Sequence, residues 1–163
     1  MYAVDENAAR VASVARAFTS NSHVRVVCAR YSDFVAARGS FAGALATHAL
    51  LHGTPPLIAK TVAAVRVCLA TRASFFFTLG SVRDPRFGRG TRIADGAFAP
   101  TDGSEAGVVH SFFDEAGVRT LLRGFELEDV REDSAAATVG TWAHESDRAR
   151  DIVHWFIRAR RHD

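Results

Sequence analysis

Two histidines four residues apart, His48 and His52, follow the short apolar run Phe41 to Ala46 and precede Gly53, Pro55 and Pro56. A neutral imidazole accepts a proton from a hydroxyl or amine near neutral pH, so the pair is read as a general base and substrate contact. The structural alternative is two polar residues in the approach to the next helix. Spacing places no third ligand beside them, so no metal is expected. Arg83, Arg86, Arg89 and Arg92 recur every three residues and either clamp an anionic substrate or lie on a solvated loop. His110, Trp142 and His144 are substrate-pocket candidates from the carboxyl-terminal half, with ordinary packing as their alternative. The chain has no Gly-x-Ser-x-Gly nucleophile motif and no phosphate-binding Gly-x-x-x-x-Gly-Lys.

The elements that must position these residues alternate. Tyr2 to Val4 reads as a strand ending in Asp5, and Asn7 caps a helix carrying Val11, Val14, Ala15 and Phe18 at helical spacing. His23 to Ala29 is a second, β-branched strand, and a polar connection leads to a third over Phe41 to Ala46. Thr54 and Pro55 open a helix whose stripe is Ile58, Val62, Val65 and Leu69. Ala73 to Leu79, with Phe75, Phe76 and Phe77, is a fourth strand apolar on both faces. A long loop or lid is expected over 80–111. Asp114 caps a helix that stops at Gly124, Phe125 to Glu132 begins as a strand, and Ile152 to Ala159 reads as a last strand in preference to an amphipathic helix. The pattern predicts α/β architecture, an open and mostly parallel sheet with helices on both faces. Ligands of such sheets gather at the carboxyl ends of the strands, where His48 and His52 lie.

The chain of 163 residues, 48% hydrophobic, suits a single domain over 1–163 with one core. Net charge is +2, Lys60 is the only lysine, and the arginines are dispersed, which argues against nucleic acid as a partner. Cys28 and Cys68 sit in apolar runs without metal spacing, read as small buried hydrophobes, and fit a reducing, cytoplasmic compartment. No apolar run reaches bilayer length and no charged amino-terminal region precedes an apolar one, so no membrane association is expected.

The order of elements, with Phe41-Ala42-Gly43-Ala44-Leu45-Ala46-Thr47-His48-Ala49-Leu50-Leu51-His52-Gly53 and Phe75-Phe76-Phe77-Thr78-Leu79-Gly80-Ser81, resembles the class I S-adenosylmethionine-dependent methyltransferases over nearly the whole chain. The resemblance runs from the family's second strand at Tyr2 to its last near His154 to Arg160, which it implies is antiparallel to the rest of the sheet. It implies that S-adenosylmethionine is the cofactor, that Asp5 bonds its ribose hydroxyls, that Asp33 and Phe34 line its adenine, and that Thr47 and the residues after it face the methyl group and a small-molecule substrate. The family's first strand and glycine-rich cofactor loop have no counterpart here, Arg30 stands where an acidic residue usually follows the third strand, and Phe41-Ala42 replaces the usual Phe-Asp. The resemblance therefore implies a methyltransferase that is impaired or dependent on a partner. The alternatives are a non-catalytic binding or assembly subunit on the same scaffold, or half of a split enzyme. With the family's first strand absent from the sheet, a homo-oligomer or partner chain is expected to complete it.

Overall fold

The computed structural model describes residues 1–34, 36–134 and 152–163. The chain divides into two compact units, Met1–Ala37 and Arg38–Asp163. In the first, β1 (Tyr2–Asp5) and β2 (Arg25–Cys28) pair in parallel, joined by α1 (Ala8–Ala17). The Asn7 side chain accepts from the backbone N–H groups of Ala9 and Arg10, so the cap expected from sequence closes two of the helix's orphan donors. A 3-10 turn over Tyr31–Asp33 follows. None of the described side chains of this unit is buried. Cys28, expected inside, is exposed at the end of β2, where its thiol donates to Glu6 O at 3.7 Å, whereas Cys68 is buried.

The second unit is built on β4 (Leu69–Ser81), which α2 (Pro55–Cys68) enters without a loop. β3 (Phe41–Ala46) runs parallel to it, Gly43 opposite Ser74 and Ala46 opposite Phe77. The pairing is interrupted by a bulge at 70–73, where Arg72 adopts φ 67°. Beyond β3 the same edge of β4 pairs in parallel with β7 (His110–Phe113) at Gly80 and Ser81. The other edge pairs antiparallel with β9 (Val153–Arg161), which also pairs antiparallel with β8 (Phe125–Ser134). α3 (Glu115–Leu121), capped by Asp114 on the Gly117 N–H, connects β7 to β8. The sheet is therefore mixed, not mostly parallel. Continuous apolarity in Phe75 to Leu79 reports burial, not direction, and β9 takes the free edge of β4 antiparallel.

Residues 80–111 contain structure as well as loop. β5 (Thr91–Ala94) and β6 (Ala97–Ala99) form a hairpin around Asp95-Gly96, and β6 extends the sheet through β7. Asp-Gly is a strong two-residue hairpin signal, because Gly96 supplies the positive φ, here 68°, that such a turn needs.

The core lies between α2, α3 and one face of the sheet: Ile58 and Val62, Val118 and Leu122, Phe75, Phe77, Leu79, Ile157 and Ala159. Phe75 and Phe77 stack at 4.3 Å. Phe76 points to the opposite face and is 44% exposed, next to Leu45 at 73%, so only part of the phenylalanine triplet is core. Among the described residues no helix is long and apolar enough to cross a membrane.

Candidate active site

At the carboxyl end of β3 the chain turns over Thr47 to Leu50, and His48 takes φ 52°. That is the left-handed region, where histidine is over-represented among non-glycine residues. Its backbone N–H donates to Thr78 Oγ1 of β4 at 2.8 Å. The imidazole packs against the fully buried ring of His154, 4.9 Å away, at the start of β9. His154 Nε2 lies 3.3 Å from Arg86 Nη2. Since a guanidinium only donates, Nε2 is the acceptor and Nδ1 carries the proton. Leu50 and Leu51 are buried, and they fix the turn between β3 and α2.

His52 is brought to a different neighbour. Backbone bonds from Ser111 N–H to Leu51 O and from Gly53 N–H to Val109 O, both 2.8 Å, clasp the segment to the start of β7, and Ser111 Oγ adds a bond of 2.6 Å to Gly53 O. The His52 and His110 rings consequently meet edge to face at 4.8 Å. His110 is buried, with its Nδ1 2.9 Å from Val108 O. A carbonyl is a pure acceptor, so Nδ1 carries a proton, and Nε2 is left to take a second proton or a metal ion. Glu105 Oε2 stands 3.4 Å from that Nε2. The Glu105 carboxyl is held down at about 2, chiefly by the hydrogen bond that His110 offers it, with burial opposing. Desolvation and then the charge of His110 lower the His52 pKa; the residue is exposed overall, so its desolvation is confined to the ring face against His110.

Arg86 joins the two histidine pairs. Asp84, itself buried, receives the guanidinium bidentately, Nε on Oδ1 and Nη2 on Oδ2, each at 2.9 Å, and Nη1 reaches within 3.9 Å of Glu105. A cavity of about 540 Å³ opens beside them, with Arg86, Arg89, Phe98, Glu105, His110 and Phe112 among its walls. A guanidinium held by Asp84, with the exposed Arg89 beside it, on the wall of a half-apolar cavity suits an anionic or strongly polar small molecule.

Of the residues singled out in the sequence, His48, His52 and His110 thus lie in this second unit around Arg86. Arg83 is exposed and pairs with Glu132 outside the cavity wall, and it is Arg86 and Arg89 of that series that line it. Thr47 is exposed in the turn after β3. In the first unit, Asp5 ends β1; its Oδ1 accepts the Asn7 N–H at 2.8 Å while Oδ2 stays 3.9 Å from Arg10, outside hydrogen-bond range. Asp33 lies in the 3-10 turn and Phe34 packs its ring 5.9 Å from that of Tyr2. Trp142 and His144 lie outside the described residues. Sequence reasoning did not single out Asp84, Glu105 or His154 as site residues. Asp84 and Glu105 read as loop charges and His154 as one residue of an alternating strand, and no motif marks them.

No protein-family model and no curated protein matches the chain. Among solved structures it is similar to a S-adenosylmethionine-dependent methyltransferase of Methanosarcina mazei, with TM-score 0.78 and 16% identity over 99% of this chain and 81% of that one. The chain has a methyltransferase fold. A second structure with this fold is the 1,6-didemethyltoxoflavin-N1-methyltransferase of Burkholderia thailandensis, bound to 1,6-didemethyltoxoflavin and S-adenosylhomocysteine (TM-score 0.66, 20% identity, 99% of this chain, 61% of that one). The methyltransferase fold also occurs in a [4+2]-cyclase at TM-score 0.66 and 16% identity, of which this chain spans 65% while itself covered to 99%.

Proposed function

We propose that the chain is a methyltransferase-like protein that uses S-adenosylmethionine on a small molecule, in a reducing compartment such as the cytoplasm. The observation that carries this reading is the fold match at TM-score 0.78 over 99% of the chain. Asp5 fits the cofactor role at the atomic level. It ends a parallel strand just before a helix, and its side chain is 28% exposed. Its Oδ2 has capacity left to accept from a ribose hydroxyl. Arg30 fits less well, since it pairs with Glu6 at 3.5 Å and cannot accept a bond from an adenine amino group.

When bound, the cofactor would supply an electrophilic methyl group. The chain's own contribution is placement: Asp5 on the ribose, Asp33 and Phe34 at the adenine, Thr47 in the turn that follows β3. Of the histidine pair, His48 would take the proton released by a hydroxyl or amine acceptor, with His52 as the substrate contact. In a direct methyl transfer positioning supplies most of the acceleration, which is why a weakened cofactor contact would impair the protein or make it dependent on a partner.

The partner reading has its own support. Among the described residues β1 pairs with β2 and β3 with β4, and strands near the end of a pairing series are common places for a strand of another chain to add. We infer that a second copy or a partner chain contributes there. A second functional reading, a non-catalytic subunit on the same scaffold, is favoured by Arg30, which pairs with Glu6 and offers no acceptor to an adenine.

Calorimetric titration with S-adenosylmethionine and S-adenosylhomocysteine, on protein whose mass is read by light scattering in the same buffer, tests these statements together. Saturable binding that Asp5→Ala weakens is expected. Absence of binding up to about 1 mM would end the cofactor reading, and a monomer mass in protein that binds would end the second-copy reading.

A further inference from the structure

We propose that His52, Glu105 and His110 form a binding site for a divalent transition-metal ion of the zinc type, with a coordination position open towards the arginine-lined cavity. One ligand atom from each residue lies within 4.8 Å of the other two. Ligands about 2.0–2.1 Å from a shared zinc in tetrahedral geometry stand about 3.4 Å apart. Glu105 Oε2 and His110 Nε2 already have that separation, at 3.4 Å. Only His52 must close, and its exposed position leaves the ring free to turn.

The second observation is the state of His110. The residue is 2% exposed, and its Nε2 is buried with no hydrogen-bond partner among the described residues. It faces the Glu105 carboxylate at 3.4 Å. An imidazole nitrogen and a carboxylate held this close inside the protein call for a cation between them, a proton on Nε2 or a metal ion in its place. The Val108 carbonyl on Nδ1 sets the tautomer a metal requires and orients the ring, the usual task of a residue behind a metal-bound histidine. Backbone bonds on both sides of His52 hold the third ligand near, so the site is organised before any ion arrives.

Charge balance also favours a cation. Arg86, the guanidinium nearest the cluster by the distances given above, is already neutralised by Asp84 and stands 3.9 Å from Glu105, too far to occupy its oxygen. A ligand set of two imidazoles and one carboxylate leaves a place for water or for an anionic oxygen of a small molecule, which Arg86 and Arg89 in the cavity wall would receive. Sequence spacing hides the site because Glu105 lies in irregular chain and His110 is separated from His52 by the whole hairpin segment.

The test uses the full chain, freed of metal with a chelator, and needs no cofactor, so its failure is distinguishable from failure of the methyltransferase reading. Cobalt(II) is titrated by visible absorption and displaced with zinc. One equivalent per chain with the intense bands of four-coordinate cobalt is expected, and His52→Ala and Glu105→Gln should each weaken binding by roughly tenfold or more. Neither residue is buried, so circular dichroism should show both variants folded even where His110→Ala is not. His162→Ala, at a remote exposed histidine, should bind as the wild type does. Absence of stoichiometric binding, or binding that His52→Ala and Glu105→Gln leave unchanged, would overturn the assignment.

Discussion

Replacing Asp84 by alanine removes four acceptor contacts at once from a buried position. The carboxylate takes the Arg86 N–H at 2.8 Å, Nε and Nη2 of its guanidinium at 2.9 Å each, and the Val153 N–H at 3.0 Å. The Arg86 side chain is 24% exposed, so the orphaned cation would be only partly rehydrated, and the first amide of β9 would lose its partner. Breaking a buried pair from one side costs about 3–5 kcal/mol, a large share of a total stability of about 5–15 kcal/mol. With a urea m-value of about 2 kcal/mol/M, the midpoint should fall by about 1.5–2.5 M. Tryptophan fluorescence follows the transition, since Trp155 lies two residues from Val153 and donates from Nε1 to Phe113 O. Arg86→Ala should cost a comparable amount by stranding the carboxylate. The double variant should then be less damaged than the two losses combined, with a coupling of about 1–3 kcal/mol. A loss below about 1 kcal/mol for Asp84→Ala, or strict additivity in the cycle, would refute the view that this pair anchors the turn after β4.

Gly80→Ala should destabilise by about 1–3 kcal/mol, because an added Cβ would lie 2.6 Å from Ser111 O and force β4 and β7 apart. Amide exchange at Val82, whose N–H donates to Phe113 O at 3.1 Å, should accelerate with it; unchanged exchange would contradict the close approach of the two strands. Tyr31 has its pKa raised above 10.0 by burial first and by the Asp5 charge second. The folded state therefore favours the neutral phenol, and this contribution to stability is complete below the unfolded pKa of about 10 and is lost as pH rises through the higher folded value. In an ultraviolet titration of tyrosinate, the component removed by Tyr31→Phe should have its midpoint above 10.0, and one at or below 10.0 would contradict the burial.

What could be read from sequence was local. Asn7 and Asp114 announced their helices because a short side-chain acceptor before an apolar period has one common use, and both side chains do cap. Pro55 placed the start of α2, and the alternation of Val153, Trp155 and Ile157 placed β9. Strand direction was not legible from burial, because Phe75, Phe77 and Leu79 would be equally buried whichever way β9 ran; the antiparallel last strand was given by the family resemblance alone, and β9 has that direction. The hairpin around Asp95-Gly96 carried a readable turn, but its strands of four and three residues are too short for alternation to stand out among the surrounding charges. Of the site, the histidine pair was legible and its partners were not. His52 meets His110, and His48 meets His154, through strand pairings that join distant parts of the chain, and single-sequence spacing does not encode these.

β4 has both of its edges filled, yet the strands that fill them come from opposite directions in the chain. β3 precedes it, whereas β9 begins about 70 residues after β4 ends. On a ribosome adding about 5–20 residues per second, the Phe75 to Leu79 stretch would wait roughly 4–14 s with one side of its backbone unclaimed. During that interval it is a short, apolar, uncharged strand, the kind of segment that templates association with other chains. Arg158 and Arg160, which arrive opposite Phe76 and Ser74, end that exposure and place charge beside it. The yield of folded protein in a cell should therefore depend on how fast the last strand is made, and on what shields the fourth until it arrives.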